Sequence, residues 1–274
     1  MRFTKMQGLG NDFVVIDGIS QAPPLDPPTI RRLSDRHFGV GCDQVLVVER
    51  PRSADADFRY RIFNRDGSEV AQCGNGARCF ARYVREKGLS SESLIRVETD
   101  HGLLTLRCLS DQEIEVDMGV PAHEPQEIPL NMPQSASSYR IDLDGASISF
   151  AAVSMGNPHL VTEVEDVDRA PVETLGPRLE SHPLFPQRVN VGFLEVVNLH
   201  SGRLRVFERG AGETLACGSG ACAAAVTGIE RGVFESPVRI SLPGGELVIL
   251  WEGRGKPVMM RGPATTVFEG EIEL

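Results

Sequence analysis

The sequence predicts an α/β protein of the α+β kind, built as two copies of one unit, and three observations carry that prediction. The first is a repeat: residues 61–77 (RIFNRDGSEVAQCGNGA) align without gaps on residues 205–221 (RVFERGAGETLACGSGA), with eight of the 17 positions identical at an offset of 144. Upstream, Gly10-Asn11 matches Gly156-Asn157 and Gln44-Val45 resembles Asn190-Val191, both at an offset of 146. A repeat of two long units is not a solenoid. It suits a pseudo-two-fold pair of lobes facing each other across a cleft, where equivalent residues would meet. The second observation is the set of short β-prone runs in both copies, and the third is a pair of helix signals, one closing each repeated motif.

Taken in order, the strands are Phe13 to Ile16, Val45 to Val48 and Tyr60 to Phe63 in the first copy, and Gly192 to Val197 and Leu204 to Phe207 in the second. Turn signals at Arg65-Asp66-Gly67 and Pro243-Gly244-Gly245 punctuate them. The clearest helices run from Asn75 to Lys87, stopped by Gly88, and from Ser219 to Arg231, stopped by Gly232. Each closes on a basic residue and a glycine, as helix ends prefer. Ile30 to His37, before Gly39, is a third and weaker helix.

Composition narrows the function. The 274 residues are 41% apolar and 24% charged, ordinary for a globular chain, with a net charge of −10. No block of Lys and Arg interrupts the acidic balance, which argues against nucleic acid and anionic membrane as partners. Residues 1–8 have no apolar core of signal-peptide length, and the uncharged stretch Thr214 to Ile229 is rich in Gly, Ser and Ala. Neither a secretory signal nor a spanning helix is expected. Six cysteines (Cys42, Cys73, Cys79, Cys108, Cys217, Cys222) without an export signal point to reduced thiols in the cytoplasm. The close pairs are spaced C-x5-C and C-x4-C, and the six histidines are scattered singly, so no metal site is expected.

Cys73 and Cys217 each stand just before Gly-x-Gly-Ala and a predicted helix, where backbone N–H groups and the positive dipole end converge on the sulfur. That environment lowers a thiol pKa and can also hold an anion such as a substrate carboxylate. A single cysteine there reads equally well as packed core. The repeat favours chemistry, because both copies keep Cys at the same place with the same glycines after it. Cys42, Cys79, Cys108 and Cys222 have no such motif and read as packing. Two similar thiols related by a pseudo-dyad suit racemisation or epimerisation: a thiolate removes a proton from a stereogenic carbon and a thiol delivers one to the opposite face. Donors at two helix starts would stabilise the carbanion between those steps.

The motifs Lys5-Met6-Gln7-Gly8-Leu9-Gly10-Asn11-Asp12-Phe13, Gly41-Cys42-Asp43-Gln44, Phe63-Asn64-Arg65-Asp66-Gly67-Ser68, Cys73-Gly74-Asn75-Gly76-Ala77-Arg78-Cys79, Gly156-Asn157-Pro158-His159, Glu208 to Thr214 and Ala216 to Ala221 together resemble the diaminopimelate epimerase family over the whole chain. The resemblance implies a cofactor-independent isomerase, using neither pyridoxal phosphate nor metal, that interconverts LL- and meso-diaminopimelate in lysine biosynthesis. It implies two lobes, each a curved, barrel-like mixed sheet around a central helix: residues 1–117, to which 263–274 return, and residues 118–262. By position it makes Cys73 and Cys217 the base and acid pair. Asn11, Gln44, Asn64, Asn157, Asn190, Glu208 and Arg209 would be substrate contacts, and Gly74, Asn75, Gly218 and Ser219 the carboxylate-holding helix starts. His159 and Glu208 would lie near the reacting amine and thiols as supporting acid or base. Cys42 stands at a position the family leaves variable.

The residues themselves leave other readings open. Asn11 could be a turn residue, Gln44 a solvated strand end, Asn190 a loop residue, and Glu208-Arg209 a solvated charge pair. The repeat weighs against this, since it pairs Asn11 with Asn157, Gln44 with Asn190 and Asn64 with Glu208. For the whole chain, a two-cysteine proline racemase or hydroxyproline epimerase is one rival, although a compact substrate needs no distal clamp of Arg209, Asn64 and Asn190. An isomerase of the phenazine type would lack the paired cysteines. A non-catalytic dicarboxylate-binding protein would need no thiols. The strand Thr265 to Phe268 could support a homodimer.

Overall fold

Val45-Leu46-Val47-Val48 is an unbroken apolar run, the mark of a strand covered on both faces, and all four side chains are fully buried. The computed structural model describes residues 1–70, 73–100 and 102–273; Ala71 and Gln72, inside the repeated segment, lie outside the described residues. The chain divides into two units, Met1–Asp117 with Arg261–Leu274, and Met118–Met260. It is a mixed α+β protein, mostly sheet, with four α-helices among the described residues.

In the first unit β1 (Arg2–Gly8) and β2 (Asn11–Asp17) form a hairpin through Leu9 and Gly10, whose positive φ values of 56° and 85° give the twist a two-residue turn requires. Helix α1 (Pro27–Ser34) starts at Asp26, whose carboxylate accepts the Thr29 N–H at 3.0 Å, with Pro27 pre-set for the first turn. The helix carries the chain back so that β3 (Gln44–Glu49) runs parallel to β2, with Gln44 beside Phe13. Next come β4 (Phe58–Asn64), antiparallel to β3 and pairing Asn64 with Gln44, and the short β5 (Glu69–Val70). Helix α2 (Gly74–Glu86) follows, then β6 (Leu94–Thr99) parallel to the start of β4, and β7 (Gly102–Cys108) and β8 (Glu113–Asp117) in antiparallel succession.

One face of this sheet presents Val14, Ile16, Val45, Val47 and Phe63 to Ile30 and Leu33 of α1. The other receives α2, which packs on β1, β2, β3, β7 and β8. Each fully buried aliphatic side chain contributes roughly 1.5–3 kcal/mol, so the two-sided strands anchor the unit. Gly76 is where α2 comes closest: a Cβ there would stand 2.6 Å from the Tyr60 hydroxyl.

The second unit repeats the plan. After β9 (Tyr139–Leu143), β10 (Ala146–Ser154) and β11 (Pro158–Glu163) turn at Gly156, and α3 (Val172–Glu180) leads to β12 (Asn190–Asn198), parallel to β11 with Asn190 beside His159. Then come β13 (Ser201–Glu208), β14 (Gly212–Thr214), α4 (Gly218–Glu230), and β15 (Val238–Leu242) with β16 (Gly245–Leu250). Helix α4 packs on β10 to β13, β15 and β16, and is buried continuously from Gly220 to Gly228. The unit boundary falls within β17 (Met259–Pro263), and β18 (Thr265–Glu271) pairs antiparallel with β1.

The two helices that follow the cysteines begin and end one residue earlier than the sequence suggests, and α1 begins three residues earlier because Asp26 supplies its cap. Helix α3 was not expected from the sequence, since Gly176-Pro177 reads as a breaker. Gly176 is there for packing, as a Cβ at that position would come within 2.7 Å of the Phe207 side chain. On the same logic α4 cannot thicken at Gly228, where a Cβ would lie 2.3 Å from Cδ2 of buried Phe234. Gly228→Ala is expected to destabilise the protein by about 1–3 kcal/mol through overpacking, read as a lowered melting temperature and denaturant midpoint.

Candidate active site

The conformation of the repeated motif places a sulfur at each central helix start. Cys73 is the N-cap of α2 and Cys217 the N-cap of α4, both in extended backbone (φ −142° and −118°), and the Gly220 N–H donates to the Cys217 sulfur. Gly74 and Gly218 are the first helical residues. Gly220, in the first turn of α4, leaves the room the sulfur needs: a Cβ there would stand 3.2 Å from Cys217 Sγ.

In the first unit Asn11 opens β2 beside Cys73. Its Oδ1 lies 3.7 Å from the Cys73 sulfur and accepts Asn75 Nδ2 at 3.3 Å, while its own Nδ2 donates to Asp43 at 3.0 Å. Arg78, fully buried, donates to Asn75 Oδ1 at 3.0 Å and to the Pro263 carbonyl at 3.0 Å. Behind Asn11, Asp12 accepts from Lys5 at 2.6 Å and from Arg36 at 2.9 and 2.7 Å, and Arg36 also reaches Asp43 at 2.8 Å. Burial alone would raise the Asp12 carboxyl, but Arg36 and Lys5 outweigh it and hold it far below the usual carboxylate range. Gln44 and Asn64, cross-strand neighbours, bond to each other at 2.9 Å, and Asn64 donates to Ser68 at 3.3 Å.

In the second unit Asn157 donates to Ser219 Oγ at 3.4 Å, and Ser219 Oγ lies 3.7 Å from the Cys217 sulfur. His159 Nε2 meets Asn157 Oδ1 at 3.0 Å. Asn190 donates to the Pro158 carbonyl at 3.1 Å and accepts the Arg209 backbone N–H at 2.9 Å, and the Arg209 guanidinium donates to the Gln187 carbonyl at 3.0 Å. Glu208, at the end of β13, accepts the Thr214 hydroxyl.

Each unit thus gathers its own share of the sequence-derived set. Asn11 and Asn75 surround Cys73, with Gln44 and Asn64 paired on adjoining strands; Asn157, Ser219 and Glu208 surround Cys217, with Asn190 and Arg209 joined by a backbone bond.

Two expectations need correction. The helix dipole was expected to lower both thiols, yet Cys217 is only 4% exposed and its pKa is pushed well above the ordinary thiol value. Burial is the main cause and the neighbouring Glu208 carboxylate adds to it, with the Ser219 hydroxyl offsetting only part. Cys217 therefore holds its proton. The resemblance made His159 a candidate supporting acid or base; it is 1% exposed, and burial followed by the Arg209 charge pushes it down to about 3, which removes an imidazolium as the acid. It is a neutral imidazole that orients Asn157.

Of the other thiols, Cys222 is fully buried and Cys108 is partly buried. Cys42 is buried against Ser34 at 3.6 Å, and burial pushes Cys79 up to about 12. Among the described residues no group of three His, Cys, Asp or Glu is placed to hold a metal ion. Asp43 and Arg78 were missed as site residues. The signal was available, because the repeat aligns Arg78 with Cys222 and Asp43 with Val189, charged residues in one copy against apolar ones in the other.

The sequence profile of the family described as diaminopimelate epimerase matches residues 3–124 and 151–267. A protein of that name from Aromatoleum aromaticum is 59% identical over 274 residues, covering 100% of this chain and 99% of that protein. One from Ectopseudomonas mendocina is 58% identical with the same coverage. Among solved structures, a hydroxyproline epimerase from Agrobacterium vitis with bound trans-4-hydroxy-L-proline superposes with a TM-score of 0.70 at 17% identity, over 98% of this chain and 91% of that one. At that identity the likeness concerns the fold.

The burial of His159 has a measurable sign. Above its ordinary value near 6.5 the ring is neutral whether folded or unfolded; below it the unfolded chain takes up a proton that the folded chain refuses until about 3. Stability contributed by the neutral ring is therefore lost as pH falls from 6.5 toward 3, with a limiting slope of about 1.4 kcal/mol per pH unit. Denaturation of His159→Gln is expected to show a shallower acid-side decline than the parent over that window. The His159 ring proton shifts of the parent are expected to stay constant from pH 8 to about 5.

Proposed function

The chain belongs to the diaminopimelate epimerase family, and we propose that it inverts one stereocentre of diaminopimelate, interconverting the LL and meso forms, by proton transfer between two cysteines. The observation that carries this reading is the pair of sulfurs placed as N-caps of the two central helices, one in each copy of the repeat. In one direction, Cys73 as thiolate takes the Cα proton and becomes a thiol. The electron pair left on Cα is delocalised into the adjoining carboxylate. Cys217, which burial and Glu208 keep protonated, gives its proton to the opposite face and becomes the thiolate. The reverse reaction exchanges the roles, and no electron leaves the pair of molecules. Backbone N–H groups of the α2 and α4 first turns, at Gly74, Asn75, Gly218 and Ser219, suit the reacting carboxylate, whose charge grows in the intermediate.

Asn64, Asn190 and Arg209, with Gln44 and Asn157, suit the distant ammonium and carboxylate of the same substrate, the part a compact imino acid lacks. Arg209 is the one permanent cation of that set, and a guanidinium grips a carboxylate through two N–H bonds. The enzyme is read as a cytoplasmic isomerase of lysine biosynthesis that needs no cofactor. No helix among the described residues is long and apolar enough to cross a membrane. A homodimer is supported by β18, where Val267 and Phe268 are 55% and 49% exposed.

Deuterium uptake at Cα from LL-diaminopimelate in heavy water tests the mechanism. Cys73→Ser and Cys217→Ser are each expected to slow epimerisation by roughly two orders of magnitude or more, with circular dichroism unchanged, because a serine hydroxyl is a far weaker acid than a thiol. Full turnover in both variants would overturn the two-thiol mechanism. A parallel assay with L-proline is expected to show no racemisation.

A further inference from the structure

We propose that Asp43 and Arg78 are positioning residues that lock the amides of Asn11 and Asn75 in one orientation, so that the Asn11 oxygen always faces the Cys73 sulfur and keeps its thiolate basic. The inference rests on the reading of Cys73 as a proton-transfer group, and it concerns how that group is tuned.

The argument lies in what each partner can and cannot do. A primary amide has one acceptor end and one donor end, and can flip unless its neighbours forbid it. Asp43, paired with Arg36 at 2.8 Å, offers a carboxylate that only accepts, and it receives Asn11 Nδ2 at 3.0 Å and the Asp12 N–H at 3.1 Å. Arg78 at the other end only donates. Its guanidinium is fully buried and fixed by the carbonyls of Pro263 and Gly74 at 3.0 and 3.4 Å, and it gives a third hydrogen bond to Asn75 Oδ1 at 3.0 Å. Asn75 must then turn its NH2 outward, onto Asn11 Oδ1. Donors run in a single sense from Arg78 through Asn75 and Asn11 to Asp43. Reversing either amide would set two donors against each other at the Arg78 end or two acceptors at the Asp43 end.

The consequence falls on Cys73. An amide oxygen at 3.7 Å can accept S–H but repels S⁻, so it favours the thiol and makes the thiolate a stronger base toward a Cα proton. Tyr60, whose hydroxyl donates to the Cys73 carbonyl at 3.5 Å, and Cys79 are held neutral by burial and add no charge here. The second unit is wired differently. Val189 and Cys222 occupy the places of Asp43 and Arg78, and Asn157 turns its oxygen to His159 and its NH2 to Ser219. The two copies thus keep the thiol and differ in the group that tunes it.

The test is the pH dependence of Cys73 alkylation by iodoacetamide, followed by mass spectrometry of the tryptic peptide spanning 66–78. Asp43→Ala removes the acceptor that holds Asn11 Nδ2 and leaves the amide held at its oxygen alone, through Asn75, so that turning its NH2 to the sulfur costs one hydrogen bond where it cost two. The alkylation midpoint of Cys73 is expected to fall by about half a pH unit or more, at both 0.05 and about 0.5 M KCl, where simple charge effects are screened. The acid limb of the pH profile of kcat for epimerisation is expected to move down together with the alkylation midpoint. A midpoint that does not move, or one that moves only at low salt, overturns the proposal. If Asp43→Ala does not fold, neutron diffraction of the unsubstituted protein decides: N–D density aimed from Asn11 at Asp43 supports the lock, and density aimed at the sulfur overturns it. The alkylation midpoint does not depend on turnover, so failure of the two-thiol mechanism would be seen separately, in Cys73→Ser and Cys217→Ser.

Discussion

The constraint on which each unit depends is a long helix sealed along its flanks with a cysteine standing at its start. A helix start normally takes a Ser, Thr, Asp or Asn oxygen as its cap, and a sulfur in that place gives up part of that stabilisation. What replaces it is packing. Helix α2 is clasped by β1, β2, β3, β7 and β8, and α4 by β10 to β13, β15 and β16, so the helix is held by its flanks more than by its cap. That clasp requires small residues where neighbouring segments come close, which is why Gly76 sits under Tyr60 of β4 and Gly228 under Phe234 of the loop after α4.

The same clasp brings the polar side chains to the helix start. In a parallel pair, the residue opening one strand lies beside the residue opening the next, and both units use this. Phe13 pairs with Gln44 and His159 with Asn190, and the antiparallel returns bring Asn64 opposite Gln44 and Phe207 opposite Val191. Asn11, Gln44, Asn64 and Asn157, Asn190, Glu208 are therefore strand-end residues fixed by register, and register is fixed by the apolar runs behind them. Sequence reading could find these positions because duplication wrote the register twice.

What could not be read locally is equally physical. Helix α3 lacks a clean apolar period and carries Gly176-Pro177, so local signals argue against it, yet it occupies the place of α1 when the repeat is carried forward by 146 residues. The thiol at Cys217 defeats the helix-dipole argument because that argument counts only the partial charge of the backbone. It omits the removal of water and the carboxylate of Glu208, and both act in the opposite direction. A dipole end contributes on the order of 1 kcal/mol, whereas complete burial of an ionisable group moves its pKa by several units. Burial depends on residues distant in sequence, so no reading of Ala216 to Ala221 could supply it.

The proposed reaction asks the two halves to differ in protonation at any instant. A reaction that removes a proton on one side of a carbon and supplies one on the other needs, at any instant, one sulfur without its proton and one with it. Two copies with equal environments would titrate together, and half of the molecules carrying one proton would carry it on the wrong sulfur for a given substrate hand. The differences between the copies lie in the neighbours of the sulfurs and leave the sulfurs alone: Asn75 and Arg78 in one stand where Ser219 and Cys222 stand in the other. Cys217 is surrounded by a hydroxyl and a carboxylate in a dry site, and Cys73 by an amide oxygen at the end of a directed chain of hydrogen bonds. Residues that matter for such a site are therefore found where the repeat breaks, next to the positions where it holds.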